Sequence, residues 1–346
     1  LVNFYSVYFA VNPSASSLTN CAFIGAYNSS TAEIDVTSFT ASIKINTSNT
    51  APDGPNFINP TTDLTISPLS PCRDRGTDSA TPGTAPPLTD FLGNSRLGPY
   101  DIGAYEVQYI RWRTNASSMD WNSASNWEGG VPTPTSNVVI PRGAANYPVL
   151  TPGPDFTVGS GRFLIIESGA STTLNSLTNN GTLALLNDAT SSASLILNSY
   201  TRGSGGTEKI QVLLTGGGTE EEDNFRWHFI STPVASLPVS VFTSVTQNVA
   251  QYVESRAQFS LTQGWVAYDG YVYSTGNLTG PTFSALLPGK GYDYFDIEDQ
   301  TFEFGGLLNT SSVSAPLSYT TTILTVSNRG FNLLGNPFHS GLDWDY

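Results

Sequence analysis

The apolar residues of this chain come in short runs, and almost none of them repeat with helical spacing. Runs over residues 4–10, 21–26 and 43–45 are separated by Asn, Ser and Thr. Residues 245–253 have some 3.6-residue spacing, but the stretch is short and lacks good capping residues. The residues that favour helices, Lys, Glu, Gln, Met and Arg, are scarce throughout. These features predict an all-β chain with many turns.

Length and charge limit the classes of protein to which the chain can belong. Its 346 residues suggest two or three domains rather than one small core. The formal net charge of −14 leaves no basic patch to neutralise phosphate, so we expect no nucleic-acid partner. No apolar run approaches the roughly 18 residues of a membrane-spanning helix, so we expect no membrane-spanning segment. The sequence implies no cofactor.

The two cysteines, Cys21 and Cys72, are too few to form a disulfide framework in a chain of this length. They form either one disulfide bridge or two buried thiols that pack as small apolar groups. The chain begins at Leu1 without a basic leader and stops at Tyr346 without a tail, so we expect it to be a piece of a longer polypeptide.

Residues 1–108 are typical of the end of a parallel β-solenoid. Their short strands and polar turns fit coils that pack only on neighbouring coils. Three motifs then follow in order, SPCRDRG (70–76), DFLGNSR (90–96) and DIGAYE (101–106). This order resembles the closing segment of secreted bacterial right-handed parallel β-helix proteins, although Arg75 stands where a small residue is usual. The resemblance implies that residues 1–108 are the C-terminal coils and cap of such a β-helix.

A second module is predicted over residues 109–214. The motif DWNSASNWEGGVP (120–132), followed by VVIP (138–141), resembles modules of large surface and secreted proteins of the Bacteroidetes. Short strands recur after it with Gly or Asn between them, which predicts a β-solenoid or sandwich. The composition of residues 215–224 predicts an acidic, Gly-rich linker.

A third, β-sandwich-like module is predicted over residues 225–346, and we expect it to be incomplete in this chain. Its predicted strands cover residues 264–268, 271–273, 301–304 and 319–326. The segment GFNLLGNPF (330–338) resembles a motif of type IX-secreted Bacteroidetes proteins, with Phe331 in place of Trp and His339 in place of Pro. This resemblance implies export through the outer-membrane machinery and an extracellular or cell-surface location.

Catalytic and metal-binding patterns are weak in this sequence. The acids and bases of residues 73–106 lie in the expected cap, whereas polysaccharide-cleaving clefts lie along the middle of a solenoid, so we predict no catalytic residue here. No G-x-S-x-G motif occurs, and His228 and His339 are isolated. The acidic residues of segment 293–299 offer oxygen ligands for Ca²⁺ but lack the spacing of a calcium loop, so a solvated loop is favoured.

Aromatic residues and one modification motif are the remaining candidates. Exposed rings stack on pyranose faces. The sequence offers seven such rings: Trp112, Trp121, Trp127, Trp265, Tyr268, Tyr271 and Tyr273. Trp121 and Trp127 belong to a fixed motif that indicates packing, whereas Tyr271 and Tyr273 alternate and predict one aromatic face. In the lineage that the motifs resemble, Asp followed by Ser or Thr and then a small residue is O-glycosylated, and Asp78-Ser79-Ala80 makes Ser79 a candidate site.

These patterns predict a non-enzymatic segment of an exported surface protein, an adhesin, stalk or fibre, whose partners are surface glycans or other cell-surface proteins. The first alternative is a carbohydrate-binding or polysaccharide-degrading β-helix protein with its active region upstream of Leu1. The second is a subunit of an extracellular filament or sheath.

Overall fold

The computed structural model describes residues 22–24, 43–45, 56–59, 63–76, 88–96, 100–153, 155–217, 225–242 and 248–342. The chain divides into two compact units, residues 1–108 and residues 109–346. The described residues form strands and a few 3-10 turns with no α-helix, which confirms the all-β prediction. No helix among them is long and apolar enough to cross a membrane.

The first unit contains four described strands and the turns of residues 67–76, 88–96 and 100–108, the segment that the sequence predicts to be its cap. Strands β1 (Ala22–Ile24) and β2 (Ile43–Ile45) pair in parallel, as the coils of a solenoid do. Strands β3 (Phe57–Asn59) and β4 (Asp63–Ile66) form an antiparallel pair.

The second unit begins with a β-solenoid of about three turns. One of its sheets contains parallel strands in the order β14-β12-β10-β7-β5, and the other has the order β13-β11-β8, with β9 also on β11. The strands are β5 (Ile110–Trp112), β6 (Trp127–Glu128), β7 (Val138–Ile140), β8 (Val149–Leu150), β9 (Phe156–Val158), β10 (Phe163–Ile166), β11 (Ser171–Asn179), β12 (Thr182–Leu185), β13 (Ser194–Arg202) and β14 (Thr207–Leu214).

The parallel register of the solenoid stacks like residues from coil to coil. Leu164 lies opposite Val138 on one side and Leu183 on the other, and all three are fully buried. At one corner of the coil Gly181 fits against the Arg162 carbonyl, where an added Cβ would lie 2.2 Å from that oxygen. The Asn179 side chain accepts a hydrogen bond from the Gly181 amide at 3.1 Å. The Asn179-Asn180-Gly181 segment is therefore a coil corner that needs glycine.

The rest of the second unit is built on a six-stranded antiparallel sheet with the order β15-β22-β17-β18-β19-β20. A further pair, β16 and β21, lies beside it. The strands are β15 (Arg226–Ile230), β16 (Leu237–Pro238), β17 (Val249–Tyr252), β18 (Trp265–Ala267), β19 (Tyr271–Val272), β20 (Asn277–Leu278), β21 (Ala285–Leu286), β22 (Tyr292–Asp296) and β23 (Gln300–Phe304). Short 3-10 turns occur at Ala124–Asn126, Val239–Val241, Glu254–Arg256, Leu261–Gly264 and Val326–Asn328.

Strand β23 joins this sheet region to the solenoid. It pairs antiparallel with β14, from Ile210 opposite Phe304 to Leu214 opposite Gln300. A single buried cluster accordingly runs from Trp112 to Leu308. The sequence predicts two modules, over residues 109–214 and 225–346. In the structure these two segments share one sheet and one core.

The strand predicted over residues 319–326 is wrong. That segment forms turns and enters the 3-10 turn Val326–Asn328. Its backbone is held by the buried Glu254 carboxylate, which accepts hydrogen bonds from the Thr320 amide at 3.0 Å and the Gly330 amide at 2.8 Å. The Glu254 carboxylate thus accepts the backbone hydrogen bonds that a neighbouring strand would otherwise accept.

Candidate functional site

Strand β15 presents aromatic side chains to solvent at every second position. Trp227 and Phe229 are 56% and 71% exposed, whereas Ile230 on the other side is buried. Phe225, just before the strand, continues the same series and is 43% exposed. Successive side chains of a strand point to opposite faces, so these three rings share one face of the sheet.

The strand register extends this aromatic series across the sheet. Trp227 lies opposite Phe295 on β22, and their ring centroids are 4.4 Å apart. Tyr252 on β17 lies opposite Trp265 on β18, with centroids 5.3 Å apart in an edge-to-face arrangement. We call the resulting surface the aromatic face. It contains Phe225, Trp227, Phe229, Tyr252, Trp265, Tyr271, Tyr273 and Phe295.

Two small residues let the rings of the aromatic face approach one another across the sheet. Ala250 and Ala267 lie opposite each other on the central strands and are fully buried. The rings of Phe229 on β15 and Trp265 on β18 lie nearly parallel at 11° with centroids 6.1 Å apart. Gly264 also leaves room for a ring of this face, since an added Cβ would lie 2.4 Å from the Tyr252 ring.

The opposite face of the same sheet belongs to the protein core. Val249, Tyr292 and Tyr294 point to that side and are 1–2% exposed. Because the core holds one side of the sheet, the aromatic face is fixed toward the other side.

Asp293 is the acidic group of the aromatic face. It lies opposite Phe229 on β15 and Ala250 on β17, and is only 3% exposed. Its Oδ1 has no hydrogen-bond partner among the described residues, and neither has the buried hydroxyl of Tyr252. Burial raises the pKa of Asp293 to about 7, although the Tyr294 backbone favours the charged form. Buried polar atoms without partners are uncommon in native proteins, and a bound ligand is one way of satisfying them.

The seven aromatic residues singled out from the sequence divide into two groups. Trp265, Tyr271 and Tyr273 lie on the aromatic face. Tyr268 packs against the core, and the three tryptophans of the module entry are 0–2% exposed. Trp127 contacts both Trp112 and Trp121 edge-to-face with centroids 4.8 Å apart, so these three are structural and are not sugar-binding surfaces.

Sequence reasoning missed the most exposed part of the site. The alternation Phe225-x-Trp227-x-Phe229 carried the signal, because it has the period of a strand with one aromatic side. Phe295 gave no such signal, since it follows the buried Tyr292 and Tyr294 and joins the site only through its register with Trp227.

The acidic segment 293–299 does not converge on one point. Asp293 lies on the aromatic face, whereas the Asp296 Oδ2 accepts a hydrogen bond from the Tyr294 hydroxyl at 2.8 Å on the core side. Asp299 accepts from the Gly216 amide at 2.7 Å. No group of three or more His, Cys, Asp or Glu side chains in the described part of the chain is placed to hold a metal.

The carboxylates of the first unit serve its cap. Asp90 Oδ1 accepts hydrogen bonds from the Leu92 and Asn94 amides, and Asp101 accepts from the Asp74 and Val107 amides at 2.8 and 2.7 Å. Burial raises the pKa of Asp101 to about 7, against the effect of these amides.

Arg96 completes this polar network of the cap. Its Nη1 lies 3.0 Å from Glu106 Oε2 in an almost fully buried pair, and its Nη2 donates to the Gly103 carbonyl at 2.8 Å. These groups satisfy backbone atoms of the closing turns.

The modification candidates fall largely outside the described residues. Ser79 and Cys21 lie there, so O-glycosylation of Ser79 and a Cys21–Cys72 bridge stay predictions. Cys72 itself is 3% exposed, and burial raises the pKa of its thiol.

A cavity of about 640 Å³ lies where the last solenoid coil meets the C-terminal segment. Its wall contains Ile210, Ile230, Phe338 and His339. His339 is 8% exposed, and neither ring nitrogen makes a well-formed hydrogen bond with the described residues. Burial lowers the pKa of His339 to about 4, with the Leu195 backbone as the smaller opposing effect. The ring is therefore neutral near pH 7.

The comparison with known families covers this whole unit. Residues 111–346 match the family described as a domain of unknown function, DUF8693. The chain belongs to this family. No curated protein and no solved structure matches the chain. The DUF8693 region includes the solenoid, the aromatic face and the cavity, and its first residue, Arg111, lies close to the boundary between the two compact units.

Proposed function

We propose that this chain is an adhesive segment of an exported surface protein and that the aromatic face of its DUF8693 domain binds glycans. The single observation that carries the proposal is a row of exposed rings on a sheet whose other side is fixed in the core. Flat aromatic rings pack against the apolar faces of pyranose rings, and their hydroxyl or indole groups add hydrogen bonds.

The exposure of these rings supports a binding role over a structural one. Large aromatic side chains are normally buried on folding, and contiguous exposed apolar patches mark interaction sites. Trp227 and Phe229 leave more than half of their surface in solvent. The unpartnered Asp293 Oδ1 and Tyr252 hydroxyl supply polar groups within the same face.

Export and surface location rest on the sequence motifs. The segment 120–132 resembles modules of large surface and secreted Bacteroidetes proteins, and the segment 330–338 resembles a motif of type IX-secreted Bacteroidetes proteins. A stack of β coils followed by a binding sheet suits an adhesive segment, because the solenoid provides a stiff support.

A glycan array probed with the full chain tests the proposal. We expect selective binding, and we expect its affinity to fall at least about tenfold in Trp227→Ala and in Phe229→Ala. A tenfold loss corresponds to ~1.4 kcal/mol of binding free energy. Phe259→Ala is the matched control, because Phe259 is 69% exposed but lies between two 3-10 turns instead of on the sheet. An array without selective binding, or equal losses in all three variants, would contradict glycan binding and favour a purely structural role.

A further inference from the structure

The charged side chains of the six-stranded sheet are distributed unequally between its two faces. Arg226 stands on β15 between Trp227 and its preceding aromatic neighbour, so it points to the side opposite their rings. Its Nη1 donates a hydrogen bond to Thr215 Oγ1 at 2.8 Å. The nearest cation in the sequence is thus directed away from the aromatic face.

The other cations around this sheet are also engaged elsewhere. Lys290 donates to Gln251 Oε1 at 2.5 Å and lies 5.5 Å from the centroid of the Tyr292 ring, and both partners belong to the core side. Arg256 lies beyond the end of β17, where its Nη1 contacts the Thr279 carbonyl at 3.5 Å. None of the three stands among the rings of the aromatic face.

Acidic groups, in contrast, accompany the rings. Asp293 lies within the face, and Asp269 lies in the turn that leads into β19, where its Oδ1 accepts a hydrogen bond from the Tyr271 amide at 2.9 Å. Both carboxylates act on the Tyr273 hydroxyl: after burial, they are the next causes of its raised pKa.

On the basis of the proposed function, we infer that the aromatic face takes an uncharged glycan and excludes glycans that carry carboxylate or sulfate groups. An acidic sugar placed on these rings would lose hydration without meeting any of these three cations, and its charge would be repelled by Asp269 and, above pH 7 where Asp293 is ionised, by Asp293 as well. A neutral sugar keeps its ring contacts, and its hydroxyl groups can donate hydrogen bonds to carboxylate oxygens. Like-charge juxtaposition is an established source of partner discrimination.

The test uses pairs of glycans that differ by one acidic group, such as sialylated and desialylated or sulfated and unsulfated oligosaccharides, on an array probed with the full chain. At pH 8, where Asp293 is ionised, we expect the neutral member to bind at least about tenfold more tightly at low salt, with a smaller ratio at high salt because charges are screened. The double variant Asp269→Asn/Asp293→Asn should reduce the ratio of the affinity for the neutral glycan to that for the acidic glycan. Glu303→Gln, which removes an exposed carboxylate of β23, is the control and should leave it unchanged.

The outcomes separate this inference from the proposed function. Equal or tighter binding of the acidic member, still lost in Trp227→Ala, would overturn the exclusion of acidic glycans and keep glycan binding at the aromatic face. Absence of any glycan binding, or selective capture of a protein in its place, would overturn both.

Discussion

At the scale of single residues, environment decides what each tryptophan does. Trp127 is 1% exposed, and its indole Nε1 donates to the Trp121 carbonyl at 2.7 Å. Trp227 is 56% exposed and contacts Phe295 at the surface. The same side chain is a core element in the first position and a contact surface in the second.

This contrast gives a stability prediction. Trp127→Ala should lower the free energy of unfolding by ~3–5 kcal/mol, because it leaves a cavity among three packed indoles. Trp227→Ala should lower it by less than ~1 kcal/mol, because little buried contact is lost. Urea denaturation followed by circular dichroism measures both. Similar losses in the two variants would mean that the aromatic face is packed as a core.

Asp293 gives a pH-dependent prediction. Its pKa is raised by burial from 3.8 to about 7, so the folded state retains a proton that the unfolded state has released between these values. Stability from this group is therefore fully present below about pH 4 and is lost as pH rises through 7. Asp293→Asn should flatten this fall between pH 5 and 8 and stabilise the protein at pH 8 by on the order of 1–3 kcal/mol.

Tryptophan fluorescence is the appropriate measurement for this variant. The five tryptophans of the described residues lie in the second unit, whereas Asp101, whose pKa is also raised to about 7, lies in the first. The signal thus reports on the unit that contains Asp293. An unchanged pH slope in Asp293→Asn would show that its carboxyl is ionised and solvated in the folded protein.

At the scale of elements, pairing between distant segments closes the solenoid sheet. Strand β23 covers the edge of β14, and Phe302 within it is 7% exposed. Its ring lies 4.8 Å from that of Phe242 and 5.3 Å from that of Tyr294. An uncovered edge of this kind would invite pairing with another chain.

Two neighbouring positions of β23 test this closure. Phe302→Ala should lower the free energy of unfolding by ~3–5 kcal/mol, because a ring is removed from the core. Glu303→Ala should change it by less than ~1 kcal/mol, since Glu303 forms only an exposed ion pair with Lys209 at 3.3 Å. Thermal denaturation of both variants measures the difference, and a mild effect of Phe302→Ala would argue against the pairing of β23 with β14.

At the scale of the whole molecule, residues 109–346 form one compact unit. The segment 215–224 was predicted to be a linker between modules, yet strands on its two sides share a sheet and a core. Residues 109–214 and 225–346 are therefore held together by the shared sheet and core, and not by the chain connection between them.

Cleavage within this segment tests that conclusion. After a protease recognition sequence is inserted in residues 218–224 of the full chain and cut, the two pieces should elute together from a sizing column under native conditions. They should separate only in denaturant, and at a lower concentration when Phe302→Ala is present. Separation in native buffer would show that the two segments fold independently.

The sequence by itself determined the all-β class, the solenoid region and the alternation of Tyr271 and Tyr273, because strand periodicity and turn residues are local properties. Only the tertiary structure decided that residues 300–304 complete the solenoid sheet, that residues 319–326 are not a strand, and that Phe295 joins Trp227. Each of these depends on a partner distant in sequence, and local pattern carries no information about register between distant strands.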